Sequence, residues 1–262
     1  MIESLQGRLI FGRTTHIRPL PPGPHAGRHR REAHRLERPD GAVLEGWSAV
    51  PESSALVGSL LYFGGRNENV VWAPDMASFN PGWAVHAFNY RGFGGSTGRA
   101  SERRAKADAL AILEFVAARH RLGHLGHLAI AGRSLGTAVA LSLVPAARPA
   151  SLLLLSPFAS VPAVLRARPL GGAGAALVTQ RFECGALAAA HRGRTLVLLA
   201  ADDTTIPHAQ SHALCAQLPR PPALRVIAGT THKSLPRSGG AQGAIAAFLA
   251  DACARSRVAP DA

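Results

Sequence analysis

The amino-acid sequence predicts an α/β fold in which helices cover both faces of a mostly parallel central sheet. Short apolar runs with few charges, typical of strands buried on both faces, recur along the chain, and longer segments with helical spacing separate them. These runs are residues 56–63, 83–90, 127–132, 151–156, 195–200 and 224–228. Alternating strands and helices imply right-handed crossovers and a mostly parallel sheet. In such a sheet we expect ligands to bind at the carboxyl ends of the strands.

The chain divides into an N-terminal arm, residues 1–29, and one domain, residues 30–262. Proline, glycine, arginine and histidine are frequent in the arm, which favours irregular structure. Residues 9–11 are apolar, so we expect them to pack on the edge of the domain. The domain begins with a hairpin signal, because Asp40-Gly41 separates two strand-like segments.

Three later segments complete the predicted architecture. Residues 102–119 carry an apolar face at helical spacing, and residues 135–144 are typical of a buried helix. Residues 157–190 interrupt the alternation with prolines and a glycine-rich run. We interpret this segment as a small cap or mobile lid; the alternative is a plain crossover helix with loops.

The strongly basic composition is a second feature of the sequence. Its net charge of +13 would ordinarily indicate an acidic partner such as nucleic acid or an anionic membrane surface. The basic residues are arginines except for Lys106 and Lys233, and they are dispersed along the chain. We therefore expect a solvated basic surface and no specific nucleic-acid partner.

Cysteine usage and hydropathy bear on the cellular setting. The three cysteines, Cys184, Cys215 and Cys253, cannot all pair, and their spacing matches no zinc or redox motif. A reduced, cytoplasmic location is the simplest interpretation. The first residues lack the pattern of a signal peptide, and the absence of an 18-residue apolar run predicts no membrane span.

The sharpest functional signal is a G-x-S-x-G motif centred on Ser134. It follows an apolar strand-like run and opens the helix predicted over residues 135–144. A serine on such a tight strand-to-helix turn exposes its hydroxyl, and small flanking residues let the backbone bend. The motif therefore predicts a nucleophilic serine. The alternative is a glycine-rich turn of a nucleotide-binding fold, but the sequence does not have the further glycine that such folds require.

A nucleophilic serine needs a base and an acid, which in this arrangement follow it along the chain in the order acid, then histidine. His232 follows the strand-like run 224–228 and is the predicted general base. Asp202 and Asp203 both follow the run 195–200. We prefer Asp203 as the orienting acid and expect Asp202 to hold the turn through local backbone amides.

Two glycine-rich segments complete the candidate site. Gly64-Gly65 ends the first long strand and lets the backbone approach Ser134, so the N–H groups of Arg66 and Leu135 are the predicted oxyanion donors. The alternative is a Gly-Gly turn that only reverses the chain. Residues 89–98 superficially suggest a phosphate cradle, but they match neither phosphate-binding glycine motif.

These motifs together resemble the α/β-hydrolase superfamily, in particular its compact abhydrolase-domain or prolyl-oligopeptidase-like serine hydrolases. The resemblance covers about residues 40–250 and rests on the ordered segments YFGGRN, NYRGFGGSTG, GRSLG, SPF, DDTTIP and GTTH. It implies an α/β-hydrolase fold with a small cap or none, and neither a metal nor an organic cofactor. In that family the acid stands four residues before a proline, which favours Asp203. The family's usual His-Gly appears here as Gly64-Gly65, without the histidine that normally braces the loop.

The resemblance indicates reaction type more closely than substrate. We expect a serine hydrolase that cleaves a small carboxylic ester or thioester through an acyl-enzyme intermediate. An amidase or peptidase of the same fold is one alternative. A non-catalytic binding module with a basic surface is the other, and labelling by a fluorophosphonate probe separates it from the enzymes.

Overall fold

The computed structural model describes residues 6–7, 10–12, 27–52, 56–120, 127–168 and 171–256. Within this part of the chain, eight strands form one sheet in the order β1-β2-β4-β3-β5-β6-β7-β8. They are β1 (His29–Glu37), β2 (Val43–Pro51), β3 (Gly58–Phe63), β4 (Trp83–Phe88), β5 (Leu128–Arg133), β6 (Ser151–Leu155), β7 (Arg194–Asp202) and β8 (Ala223–Thr231). Strand β2 is antiparallel to both neighbours, and β3 to β8 are mutually parallel. The predicted α/β class with a mostly parallel sheet is confirmed.

The antiparallel start of the sheet is the hairpin that Asp40-Gly41 predicts. Strands β1 and β2 pair from Glu37 opposite Val43 back to His29 opposite Pro51. Gly41 has a φ of 77°, which glycine adopts without the penalty that a side chain would bring. The turn therefore sets the register of the first two strands.

Helices cover both faces of the sheet, as predicted. The described helices are α1 (Glu102–His120), α2 (Leu135–Ser142), α3 (Val144–Ala147), α4 (Val161–Arg166), α5 (Gly171–Leu177), α6 (Gly185–Ala190), α7 (His208–Cys215) and α8 (Gly239–Ser256). Helices α1, α2, α6 and α7 bury apolar side chains in one core cluster, and α8 contributes to a second. Alternating residues of β5 divide between them: Ile130 belongs to the first, Ala129 and Ala131 to the second.

Some elements differ from the sequence expectations. A 3₁₀ helix over Val70–Phe79, which the apolar pattern did not indicate, covers the second face and is capped by Asn69, whose Oδ1 accepts the N–H of Val71. Strand β8 lies at the sheet edge, so its side chains are more exposed than the predicted double burial, and Val226 is 51% exposed. In the described part of the segment 157–190, three short helices are present, α4 to α6.

The described part of the N-terminal arm packs against the domain. Phe11 is 1% exposed, and its ring meets those of Tyr90 and Phe182 edge-on at centroid distances of 5.3 and 5.9 Å. Leu9 and the proline cluster of the arm lie outside the described residues. No described helix has both the length and the hydropathy needed to span a membrane.

Candidate active site

Ser134 lies at the tip of the turn between β5 and α2. Its backbone has φ 50° and ψ −118°, a conformation that costs free energy for a residue with a side chain. Packing forces both flanking positions to be glycine: a Cβ at Gly132 would lie 2.3 Å from the Gly136 carbonyl oxygen, and a Cβ at Gly136 would lie 2.1 Å from that of Phe63. The strain is retained because β6 holds the turn, with the Ser134 N–H donating to the Leu155 carbonyl at 2.8 Å.

His232 and Asp203 meet beyond the carboxyl ends of β7 and β8. His232 Nδ1 lies 2.8 Å from Asp203 Oδ2, and Asp203 Oδ1 accepts the N–H groups of Thr205 and Ile206, each at 2.9 Å. Burial by itself raises the pKa of Asp203, but the hydrogen bonds to His232 and the Ile206 amide outweigh it and lower the pKa to about 2. Asp203 is therefore a carboxylate at neutral pH and can orient the imidazole.

The side chain of Asp202 accepts none of the turn hydrogen bonds of the described residues, although the sequence predicts that it holds the turn. Its side chain is exposed, whereas Asp203 binds both the turn amides and the histidine. Asp203 therefore makes the contacts that the sequence predicted for two neighbouring aspartates.

Ser134 and His232 line the same cavity, which has a volume of about 540 Å³. Arg66 and Leu135, the predicted oxyanion donors, line it as well. The hydrogen bonds of the described residues do not include one between Ser134 and His232. In ligand-free enzymes such catalytic hydrogen bonds are often long and shorten only when substrate binds.

The turn that precedes Arg66 is fixed from three sides. The Gly65 N–H donates to Glu68 Oε2 at 2.7 Å, and the Tyr90 hydroxyl donates to the Gly64 carbonyl at 2.8 Å. Asn67, at φ 61°, donates its N–H to the Phe11 carbonyl at 2.9 Å. Tyr90 and Glu68 thus brace this loop, which has Gly64 where the resemblance implies a histidine.

Sequence reasoning missed a buried ion pair between Glu68 and Arg133. Arg133 Nη1 lies 2.7 Å from Glu68 Oε2, and Arg133 Nη2 donates to the His232 carbonyl at 2.8 Å. Glu68 Oε1 accepts from the Tyr62 hydroxyl at 2.9 Å and from Trp72 Nε1 at 3.1 Å. The pair therefore joins the Gly65 turn, the Ser134 turn and the His232 loop.

The charge state of this pair follows from its contacts. Burial alone raises the pKa of Glu68, but the Arg133 guanidinium and the Gly65 amide outweigh it and hold that pKa below its usual value.

The signal in the sequence was an arginine inside G-x-S-x-G and a glutamate three residues after Gly65. Neither residue type indicates burial unless its partner is known.

The glycine-rich loop over residues 89–98 binds an internal carboxylate. Glu45 Oε2 accepts the Gly95 N–H at 2.6 Å and lies 3.3 Å from Asn89 Nδ2. A side chain of the protein therefore takes the place that a bound phosphate would need. Among the described residues, no cluster of His, Cys, Asp and Glu side chains is arranged to hold a metal ion.

Comparisons with known proteins extend this description. A family model described as serine aminopeptidase, S33, matches residues 57–183. The uncharacterized protein Rv2307c of Mycobacterium tuberculosis is 29% identical over 199 residues, which cover 75% of this chain and 70% of that protein. The match with this relative gives no activity.

Two solved structures share the architecture over most of the chain. XC6422 from Xanthomonas campestris, described as an α/β serine hydrolase without lid, gives a TM-score of 0.60 at 18% identity, covering 94% of this chain and 100% of that one. The Pyrococcus furiosus esterase PF2001 gives a TM-score of 0.63 at 12% identity, covering 94% and 96%. At such identities the likeness shows a common fold.

Proposed function

We propose that the chain is a member of the α/β-hydrolase superfamily and a serine hydrolase that cleaves a carboxylic ester or thioester. The observation that carries this proposal is the shared cavity of Ser134 and His232, with the histidine bonded to Asp203. In this proposal Ser134 is the nucleophile, His232 the general base and Asp203 the acid that orients it. The substrate is a small acyl compound, in keeping with a cavity of about 540 Å³.

The proposed reaction proceeds through an acyl-enzyme. Ser134 Oγ attacks the acyl carbon while His232 Nε2 accepts the hydroxyl proton. The N–H groups of Arg66 and Leu135 stabilise the negative charge that develops on the acyl oxygen. The alcohol or thiol then leaves with the proton from His232, and water hydrolyses the acyl-enzyme by the same route. Asp203 stabilises the imidazolium in both halves, and no metal or organic cofactor takes part.

Labelling of the active serine tests this function directly. A fluorophosphonate probe should label the wild-type protein at Ser134, and the Ser134→Ala variant should lose both labelling and hydrolysis of p-nitrophenyl esters. Ser142→Ala, at the far end of the helix that begins after Ser134, is the matched control and should behave like the wild type. Labelling that persists in Ser134→Ala, with esters still cleaved, would move the nucleophile to another residue.

A peptidase is the second candidate, and the match to the serine aminopeptidase family model favours it. The likeness to an esterase supports the ester instead. Parallel assays of p-nitrophenyl esters and aminoacyl p-nitroanilides decide between them. A higher kcat/KM for the anilides would replace the ester proposal.

We also propose that the surface arginines are solvated and that the protein works in a reduced, cytoplasmic setting. Cys184 and Cys215 are free thiols, which suits that setting. If the arginines have no dedicated polyanion partner, duplex DNA should bind only at the non-specific level, with a Kd of about 10⁻⁴ to 10⁻⁶ M at physiological salt. Submicromolar binding, together with absence of probe labelling, would favour a basic binding module.

A further inference from the structure

The cavity beside Ser134 has two chemically different linings. Phe158 and three residues of α4, Val161, Val164 and Leu165, give it an apolar wall. Besides Arg133, four cationic side chains line it: Arg66, Arg168, Lys233 and Arg237. A neutral acyl chain needs only the first lining.

The cationic side chains come from separate parts of the chain. Arg66 follows the Gly65 turn, Arg168 follows α4, Lys233 follows His232, and Arg237 ends a 3₁₀ helix. Among the described lining residues the carboxylate is Glu68, and Arg133 neutralises it. Arg168 and Lys233 therefore bring cationic charge to a concave, partly apolar space, where an electrostatic field acts more strongly than on a flat surface.

Helix α4 orders these linings along one face. The Ala167 N–H donates to the Ala163 carbonyl at 3.2 Å, and the Arg168 N–H to the Leu165 carbonyl at 3.0 Å, so the helical turn continues to Arg168. Residues three and four apart lie on the same side of a helix, which places Arg168 next to Leu165 and Val164. A ligand that runs along this face meets apolar side chains first and then a guanidinium.

We propose that the substrate carries an anionic group, a carboxylate or a phosphate, in addition to the ester that is cleaved, and that Arg168 binds this group. This inference rests on the proposed function, because it assigns the substrate class of the same cavity. An arginine suits both anions, since its planar donors match carboxylate and phosphate oxygens.

Matched ester pairs test the proposal and show which part of the substrate carries the charge. The first pair, mono-p-nitrophenyl adipate and p-nitrophenyl hexanoate, places a carboxylate in the acyl part. The second, hexanoylglycerol phosphate and hexanoylglycerol, places a phosphate in the alcohol part. For each pair the readout is the ratio of kcat/KM for the anionic ester to that for the neutral ester.

Two arginines near each other on this segment give the variant and its control. Arg168→Gln should lower the ratio in one of the two pairs by about two- to fivefold, the effect expected for one solvent-accessible ion pair. Arg166→Gln removes the same charge from α4 at an exposed residue that does not line the cavity, and should leave both ratios unchanged. Raising the salt to about 0.5 M NaCl should lower the wild-type ratio in the same pair.

The outcomes separate this inference from the proposed function. A lower ratio for Arg168→Gln alone supports the inference, and the pair affected identifies the acyl or the alcohol part. Hydrolysis of both esters with unchanged ratios in both pairs, or an equal fall in Arg166→Gln, overturns the inference and leaves the proposed function standing. If the wild type hydrolyses none of the four esters, both are contradicted.

Discussion

Two arginines in glycine-rich turns, Arg91 and Arg133, form buried ion pairs with different surroundings. Arg91 donates through Nε and Nη2 to both oxygens of Asp108 on α1, at 2.7 and 2.9 Å, and through Nη1 to Asp40 in the β1–β2 turn. Arg133 divides its donors between Glu68 and the backbone carbonyl of His232. The first pair joins parts of the scaffold, whereas the second joins loops around the candidate nucleophile.

The effect of a buried ion pair on the protein depends on which parts of the chain its partners belong to. Breaking either pair leaves an uncompensated buried charge, which destabilises a protein by about 3–5 kcal/mol. A change at Arg133 or Glu68 should in addition displace the reacting groups. Stability and turnover therefore separate the two pairs when both are measured.

The largest expected effect is on turnover and concerns Asp203. Asp203→Asn should lower kcat by about 10⁴-fold, because an asparagine leaves His232 in the wrong tautomer. Steady-state kinetics on a p-nitrophenyl ester measures it. The neighbouring control, Asp202→Asn, changes an exposed side chain and should keep kcat within about twofold of the wild type. The reverse ranking would transfer the role to Asp202.

On the scaffold side, Asp108→Asn should lower the free energy of unfolding by about 3 kcal/mol. It removes the carboxylate that faces Arg91 and Arg38. Urea unfolding measures this loss, and kcat per folded molecule should stay unchanged because the described partners of Asp108, Arg38 and Arg91, lie outside the loops around Ser134. A fall in kcat comparable to that of a Glu68 variant would show that Asp108 affects turnover as well as stability.

A smaller effect on turnover is expected for Glu68, the partner of Arg133. Glu68→Gln should lower kcat by about 10²-fold with little change in KM, because the Gly65 turn and, through Arg133, the His232 loop lose their common anchor. The active-site concentration is titrated with the fluorophosphonate probe, so that unfolded protein does not count. Unchanged kcat per labelled site would show that this pair, too, serves stability alone.

The smallest effect concerns pH. Because the pKa of Asp203 is lowered to about 2 in the folded protein, its contribution to stability is complete above the unfolded pKa of about 3.9 and is lost as the pH falls toward 2. The difference in unfolding free energy between the wild type and Asp203→Asn should therefore shrink between about pH 5 and about pH 2. Urea unfolding across this range checks the sign. A difference that is constant with pH would contradict it.

The sequence predicted those features that local pattern determines. The Asp40-Gly41 hairpin, the six apolar strands and the helix after Ser134 follow from turn chemistry and from periodicity over a few residues. Ser134, Asp203 and His232 were identified as candidates because each follows a strand, and strand ends gather at one edge of a parallel sheet.

Other features depend on contacts between distant residues. Glu68 and Arg133 are 65 residues apart in the chain, and either one alone is typical of a solvated surface. The exposure of β8 follows from its position at the sheet edge, and the 3₁₀ helix contains Pro74, a residue that normally argues against a helix. Single-residue patterns do not contain this information.

The hydrogen bond from Asn67 to the Phe11 carbonyl has a practical consequence for anyone who isolates the sheet domain. A fragment that starts at β1 keeps every strand, but it loses that carbonyl and the side chain of Ile10, which lines the cavity. The first strand therefore does not mark the first residue that contributes to the cavity. An expression boundary chosen from the sheet alone would remove the buried Phe11 as well as the contact that holds the loop at Arg66.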